Sequence, residues 1–173
     1  PYKMSKRAGN FILMDEILDE IGADALRFIF LSKKCDTHLE FDIETLKKQD
    51  SSNPVFYVNY AHARIYQVFA RANKSFESVL NANFESLNEE GANLLFEALN
   101  LHATLQSAFE ERALQKIADY LKSLAAAFHK FYAENKVVGS ANEDSLLKLF
   151  AVVALSIKTA LNIMGIEAQK KMV

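Results

Sequence analysis

The chain has a single cysteine, Cys35, so no disulfide can close within it, as fits a reducing compartment. Tryptophan is absent, and there are only 5 Gly and 2 Pro. That is too few turn residues for a loop-rich β sandwich. No apolar run reaches the roughly 18 residues that a bilayer span needs. The longest uncharged run lies near residues 149–157. No glycine-rich phosphate loop is present, and the first residues form neither a signal peptide nor a transit peptide. A net charge of −2 argues against a generic nucleic-acid binder. What remains is 173 residues, 50% hydrophobic and 24% charged. That composition describes one globular domain, or one domain with a small appendage. The chain starts at Pro1 rather than Met, so a piece of a longer protein is expected, with the missing part N-terminal.

Charge is segregated along the chain. Residues 1–14 carry Lys3, Lys6 and Arg7 and no acid, and residues 51–76 carry Arg64, Arg71 and Lys74 and no acid. Residues 15–50 hold 5 basic and 10 acidic groups, and residues 77–144 hold 5 and 11. Residues 145–173 return to positive, with four lysines against Glu167. Local potential steers a polyanion even when the net charge is negative. Chance segregation on a solvated surface is the competing reading.

The pattern predicts an all-α protein: a bundle of about five helices, fronted by a small strand–helix–helix–strand connector. Phe11–Leu13 and His38–Phe41 are the candidate strands, placed to pair with each other. Asp15 can cap a helix ending at Ile21 before Gly22, and Asp24 can cap the next. Asp42 opens a short helix to about Lys48. Asn53 and Pro54 open a long one over 54–74. A polar connector is expected over 75–87, then a helix over 88–100 that 101–112 continues or restarts, then helices over 114–134 and 144–164, with Gly165 as the last stop.

The long helix sorts its residues by face. With an advance of about 100° per residue from Tyr57, Val58, Ile65 and Phe69 fall together, with Val55 and His62 beside them. That is a core face. Tyr57, Tyr60, Arg64 and Arg71 form a narrow stripe about 100° or more away. Tyrosines interleaved with arginines suit flipped-out single-stranded bases, because Tyr stacks on base faces while Arg pairs with phosphate or stacks. The other reading packs the tyrosines against a neighbouring helix with only their hydroxyls wet. Near the start, Lys3 and Lys6 flank Ser5, a pairing suited to triphosphate oxygens. An exposed basic tail is the alternative. His38, His62, His102 and His129 show no metal-ligand spacing with each other or with Cys35, so no metal site is expected. His62 is expected to be a hydrogen-bonded core residue.

Three motifs carry a family resemblance. Lys3-Met4-Ser5-Lys6 resembles the ATP-binding KMSK loop of class I aminoacyl-tRNA synthetases. Asp24-Ala25-Leu26-Arg27 spells DALR, the tetrapeptide that names a family of anticodon-binding domains. Residues 53–64, NPVFYVNYAHAR, resemble a helix that marks bacterial arginyl-tRNA synthetases. The order and spacing of all three make the resemblance specific, and it covers the whole chain. It implies three parts. Residues 1–13 would be a remnant of the catalytic domain, 14–52 a connector that seats the tRNA stem, and 53–173 an anticodon-binding helical domain.

The resemblance also implies residue roles. Lys6, assisted by Lys3, would stabilise triphosphate charge while the arginyl carboxylate attacks the α-phosphate, and Met4 and Ser5 belong to the same ATP loop. Tyr57, Tyr60, Arg64, Tyr132 and Met172 match the family's anticodon contacts. Val173 follows that Met, which displaces the terminal carboxylate, and Lys136 stands where some relatives carry an aromatic. Asp24 and Arg27 read as a helix cap and an ion-pairing or packing group. The full enzyme would be a cytoplasmic monomer using ATP with Mg2+ to join arginine to its tRNA, with no membrane partner. The segment alone would hold no cofactor and would be inactive, lacking the nucleotide-binding domain. A stand-alone RNA-binding module and a protein-interaction bundle are the alternatives.

Overall fold

The computed structural model describes residues 13–39 and 42–172. Its elements in chain order are α1 (Met14–Leu31), α2 (Ile43–Lys47), α3 (Pro54–Ala72), a 3-10 turn (Glu77–Val79), α4 (Glu89–Leu99), α5 (Leu101–Glu110), α6 (Gln115–Glu134) and α7 (Glu143–Ile163). The five helices α3–α7 form the expected bundle. No strand occurs among the described residues. The expected pairing of 11–13 with 38–41 falls largely outside them, as do Lys3, Met4, Ser5 and Lys6.

The break at Gly22 matches the sequence reading, but the caps on either side of it do not. The chain from Met14 to Leu31 is two helical pieces joined at Gly22, whose φ of 78° and ψ of 162° break the helix. Glycine takes that conformation without the clash a Cβ brings. The first piece begins after Leu13, whose N–H is bonded by Glu16, so Asp15 lies inside the first turn rather than capping it. Asp24 likewise spends its carboxylate elsewhere, as shown below. The connector 75–87 is less polar in effect than in composition. Val79 is buried, and Phe76, Phe84 and Leu87 pack against the core.

α3 starts where Asn53 and Pro54 place it. The Asn53 side chain accepts from the Phe56 N–H at 3.2 Å. Its amide also donates to the Leu46 and Lys48 carbonyls, at 2.7 and 3.0 Å. One buried side chain therefore caps α3 and ties it to the end of α2.

α7 is the central helix. By length and composition it could cross a membrane. Here Leu147, Leu149, Phe150, Val153, Ile157 and Leu161 are all fully buried against the rest of the bundle. Burying a side chain of this size stabilises by about 1.5–3 kcal/mol each, so α7 is a core helix. The Phe150 ring meets Phe128 edge-on at 5.0 Å and Phe131 at 6.1 Å, which locks α7 to α6. At the top of the bundle, Lys74 pairs with Glu143 at 2.8 Å and with Asp144, joining the end of α3 to the start of α7. Buried Tyr120 and Ser156 both donate to the Ala98 carbonyl, at 2.7 and 3.0 Å. Burial pushes the Tyr120 phenol up to about 12, so it remains a donor.

Candidate nucleic-acid interface

α3 meets α6 along a line of aromatic rings. Val58, Ile65, Phe69, Val55 and His62 are buried, as the face arithmetic requires. Tyr57, Tyr60 and Arg64 are half-buried, and Arg71 is exposed. The stripe is therefore neither fully free nor fully packed. Its tyrosines rest on α6 through His129 and stay half-exposed.

The α6 residue that supports them is His129. Its ring centre lies 4.6 Å from Tyr57 and 5.5 Å from Tyr60, nearly parallel to the latter at 28°. Nε2 lies 3.4 Å from the Tyr57 carbonyl, which fixes the tautomer that donates from Nε2. Burial lowers the His129 pKa, and the Arg64 charge lowers it further against the opposing carbonyl bond. The imidazole stays neutral at pH 7 and acts as a flat shelf under two tyrosines. Phe56 extends the shelf, stacked on Tyr60 at 5.9 Å and 13°.

Arg64 joins the two helices. Its guanidinium carbon lies 4.3 Å from the Tyr60 ring centre and 5.2 Å from that of Tyr132. Nη2 donates to the Tyr60 hydroxyl. Arg71 Nη1 donates to the Tyr132 hydroxyl at 3.4 Å. Tyr132 is stacked on Phe128 at 6.0 Å, so the bundle core orients it. Cation–π contacts of this kind are worth about 0.5–2 kcal/mol and hold a guanidinium flat with N–H donors to spare.

Four of the five expected contact residues are thus gathered in one place: Tyr57, Tyr60 and Arg64 from α3, and Tyr132 from α6. Met172 lies at the end of an extended segment, 165–172, that runs against the other side of α3. Lys136 is exposed just beyond α6. His129 and Phe56 were not singled out from sequence. His129 precedes Tyr132 by three residues, which puts both on one face of α6, and that spacing was the available signal. No group of His, Cys, Asp or Glu among the described residues could hold a metal ion.

The segment 165–172 is fastened at two places. Arg27 Nη1 donates to the Gly165 carbonyl at 2.9 Å, and Asp24 accepts from the Glu167 N–H at 3.3 Å. Asn59 accepts from the Gln169 N–H at 2.9 Å, and His62 Nδ1 meets the Gln169 carbonyl at 2.7 Å. His62 is therefore the buried, hydrogen-bonded residue expected, with Nδ1 as donor. Its Nε2 is buried without a partner. Burial lowers its pKa, and Lys158 and Lys170 lower it further. Asp24 and Arg27 also pair with each other at 3.5 Å.

The architecture is an all-helical bundle with tyrosines and an arginine gathered on the seam between two of its helices. Comparison with known proteins makes the class specific. Residues 58–172 match the DALR anticodon binding domain, and the chain belongs to that family. An arginine–tRNA ligase of Campylobacter jejuni is 74% identical over 99% of this chain, and one of Campylobacter concisus is 68% identical over 99%. The chain spans only 32% and 33% of those two relatives. A solved arginyl-tRNA synthetase structure from Campylobacter jejuni superposes with a TM-score of 0.92 at 72% identity, covering 99% of this chain and 38% of that one. The Thermus thermophilus arginyl-tRNA synthetase shares the fold, with a TM-score of 0.76 at 21% identity over 96% of this chain and 29% of that one.

Proposed function

We propose that this chain is the anticodon-reading part of an arginine–tRNA ligase, and that Tyr57, Tyr60, Arg64 and Tyr132 are its contacts with the anticodon loop. The observation that carries the reading is the ring cluster. Tyr60 and Tyr132, from two helices, lie around one guanidinium, Tyr57 joins them through His129, and all three tyrosines stay half-exposed. A splayed base can continue such a stack, and the free N–H donors of Arg64 and Arg71 can take phosphate oxygens. His129 and Phe56 supply the rigid backing that keeps the tyrosines from collapsing onto each other. Residues 14–52 would seat the tRNA stem.

The longer protein would work in the cytoplasm as a monomer, using ATP with Mg2+ and arginine. Lys3 and Lys6 would serve the triphosphate there. This chain alone would not catalyse: contacts to a transition state have no nucleotide-binding floor to act against. Arginine-dependent pyrophosphate exchange by the purified chain would overturn that expectation.

The test of the interface is the double variant Tyr57→Ala, Tyr60→Ala. Each stacked base is worth about 1–3 kcal/mol. Affinity for an arginine tRNA should therefore fall by at least about tenfold while helicity is retained. Unchanged affinity would show that the tyrosines are packing alone. Binding should also weaken with salt, by roughly 0.7 log units per log unit of salt for each phosphate neutralised. A protein-interaction bundle would lack that dependence on RNA.

A further inference from the structure

We propose that Asp24 and Arg27 of the DALR tetrapeptide, together with Asn59 and His62 of α3, are positioning residues for the segment 165–172. They form a two-point latch that sets Met172 and its neighbouring lysines relative to the RNA. The proposal rests on the interface reading above and adds residues that touch no RNA themselves.

The segment leaves α7 through Gly165, whose φ of 72° turns the chain back along the bundle. It has no regular structure, so its backbone groups must find other partners or water. Ends of this kind fray unless tied down. Here they are tied from two elements far apart in sequence. At the first point, Arg27 holds the Gly165 carbonyl, Asp24 holds the Glu167 N–H, and Ile166 between them is buried to 1% exposure. At the second, both backbone groups of Gln169 are held by side chains, the N–H by Asn59 and the carbonyl by His62. This copies the two-bond pairing of a β-bridge with an amide and an imidazole. Asn59 and His62 are buried, and the protein tolerates an unpartnered His62 Nε2 to keep the bond at Nδ1.

The geometry assigns the latch a role beyond closing the core. Ile166 fills an apolar site and Ala168 packs partly against the core, but Glu167, Gln169, Lys170 and Lys171 are polar and fill none. Holding the backbone as far as Gln169 serves the residues after it. Lys170 already lies over the Tyr66 ring at 5.5 Å. The latch and the reading residues alternate on one helix: 57, 60 and 64 face α6, while 59 and 62 face the segment. The placement of Met172 is thereby registered to the tyrosines through α3, and to the connector through α1.

The test combines Arg27→Ala with removal of residues 170–173 in a two-by-two set. Arg27 is largely solvent-exposed, so its loss should leave the bundle folded. Amide exchange at Glu167 and Gln169 should accelerate in Arg27→Ala. Affinity for an arginine tRNA should drop several-fold, up to about tenfold, as for loss of one ordinary hydrogen bond. In the shortened chain the same substitution should have no further effect, and Arg27→Lys should restore most of the loss. An equal loss in both backgrounds would mean that Arg27 acts on RNA or on the fold directly, and would overturn the proposal. So would unchanged exchange, or a shortened chain that binds as well as the full one. Normal binding by the Tyr57/Tyr60 variant alongside a responsive Gln169 amide would sink the interface reading and leave the latch itself standing.

Discussion

Two histidines, His62 and His129, sit at the two flanks of α3, and both are held neutral by burial. Their folded pKa values lie below the ordinary histidine value of about 6.5. The unfolded chain therefore takes up protons first as pH falls. The stability that their neutrality supports is fully present above about pH 6.5 and is lost as pH falls through their folded values. The lowered carboxylates Asp42, Asp50, Glu77, Glu111 and Glu143 act in a separate window, below about pH 4.5. The urea midpoint should be lower at pH 5.5 than at pH 7.5, and the protection factor of the Gln169 amide, corrected for the intrinsic pH dependence of exchange, should fall with it. A flat midpoint across that interval would contradict the burial argument. At this scale the stripe on α3 was legible because helical periodicity alone puts Tyr57, Tyr60 and Arg64 together. His129 was not, because its partner rings lie on another helix and periodicity carries no information across that gap. Asp24 and Arg27 read locally as a cap and an ion pair. The ion pair is present, but their bonds to 165 and 167 depend on a contact more than a hundred residues away.

Helix ends were legible where a local signal acts alone. Asn53 before Pro54, Asn88 before α4 and Gly165 after α7 all stand where capping chemistry puts them. Nothing in Leu99–Leu101 forces the α4–α5 break, so the sequence allows either one helix or two there. In the structure the chain restarts at Asn100. Asn53 offers the sharpest element-level prediction. Asp is ordinarily as good an N-cap as Asn. Here the amide of Asn53 also donates to two carbonyls of the α2 end. Asn53→Asp would keep the cap oxygen and set a charge against those carbonyls, and Asn53→Ala would lose both. Each should destabilise by about 2–3 kcal/mol in urea unfolding. An Asp variant as stable as the parent would show that α2 is not tied to α3 through this side chain.

On the scale of the whole molecule, the charge blocks take on shape. The stretch 51–76, which carries no acid, becomes α3, and Arg64 and Arg71 both project toward the tyrosines of the interface. The acidic block 77–144 supplies the 3-10 turn, α4, α5, all of α6 and the first two residues of α7. A mildly negative protein can thus offer a polyanion one favourable approach. The chain spans about a third of the length of the relatives it matches, and the proposed recognition can be tested on the chain itself. The most direct measurement is binding of the chain, in moderate salt, to an arginine tRNA transcript and to the same transcript with its anticodon replaced. The account predicts tighter binding to the native anticodon by about tenfold or more, the worth of one well-stacked base. Equal affinity for the two transcripts would contradict it.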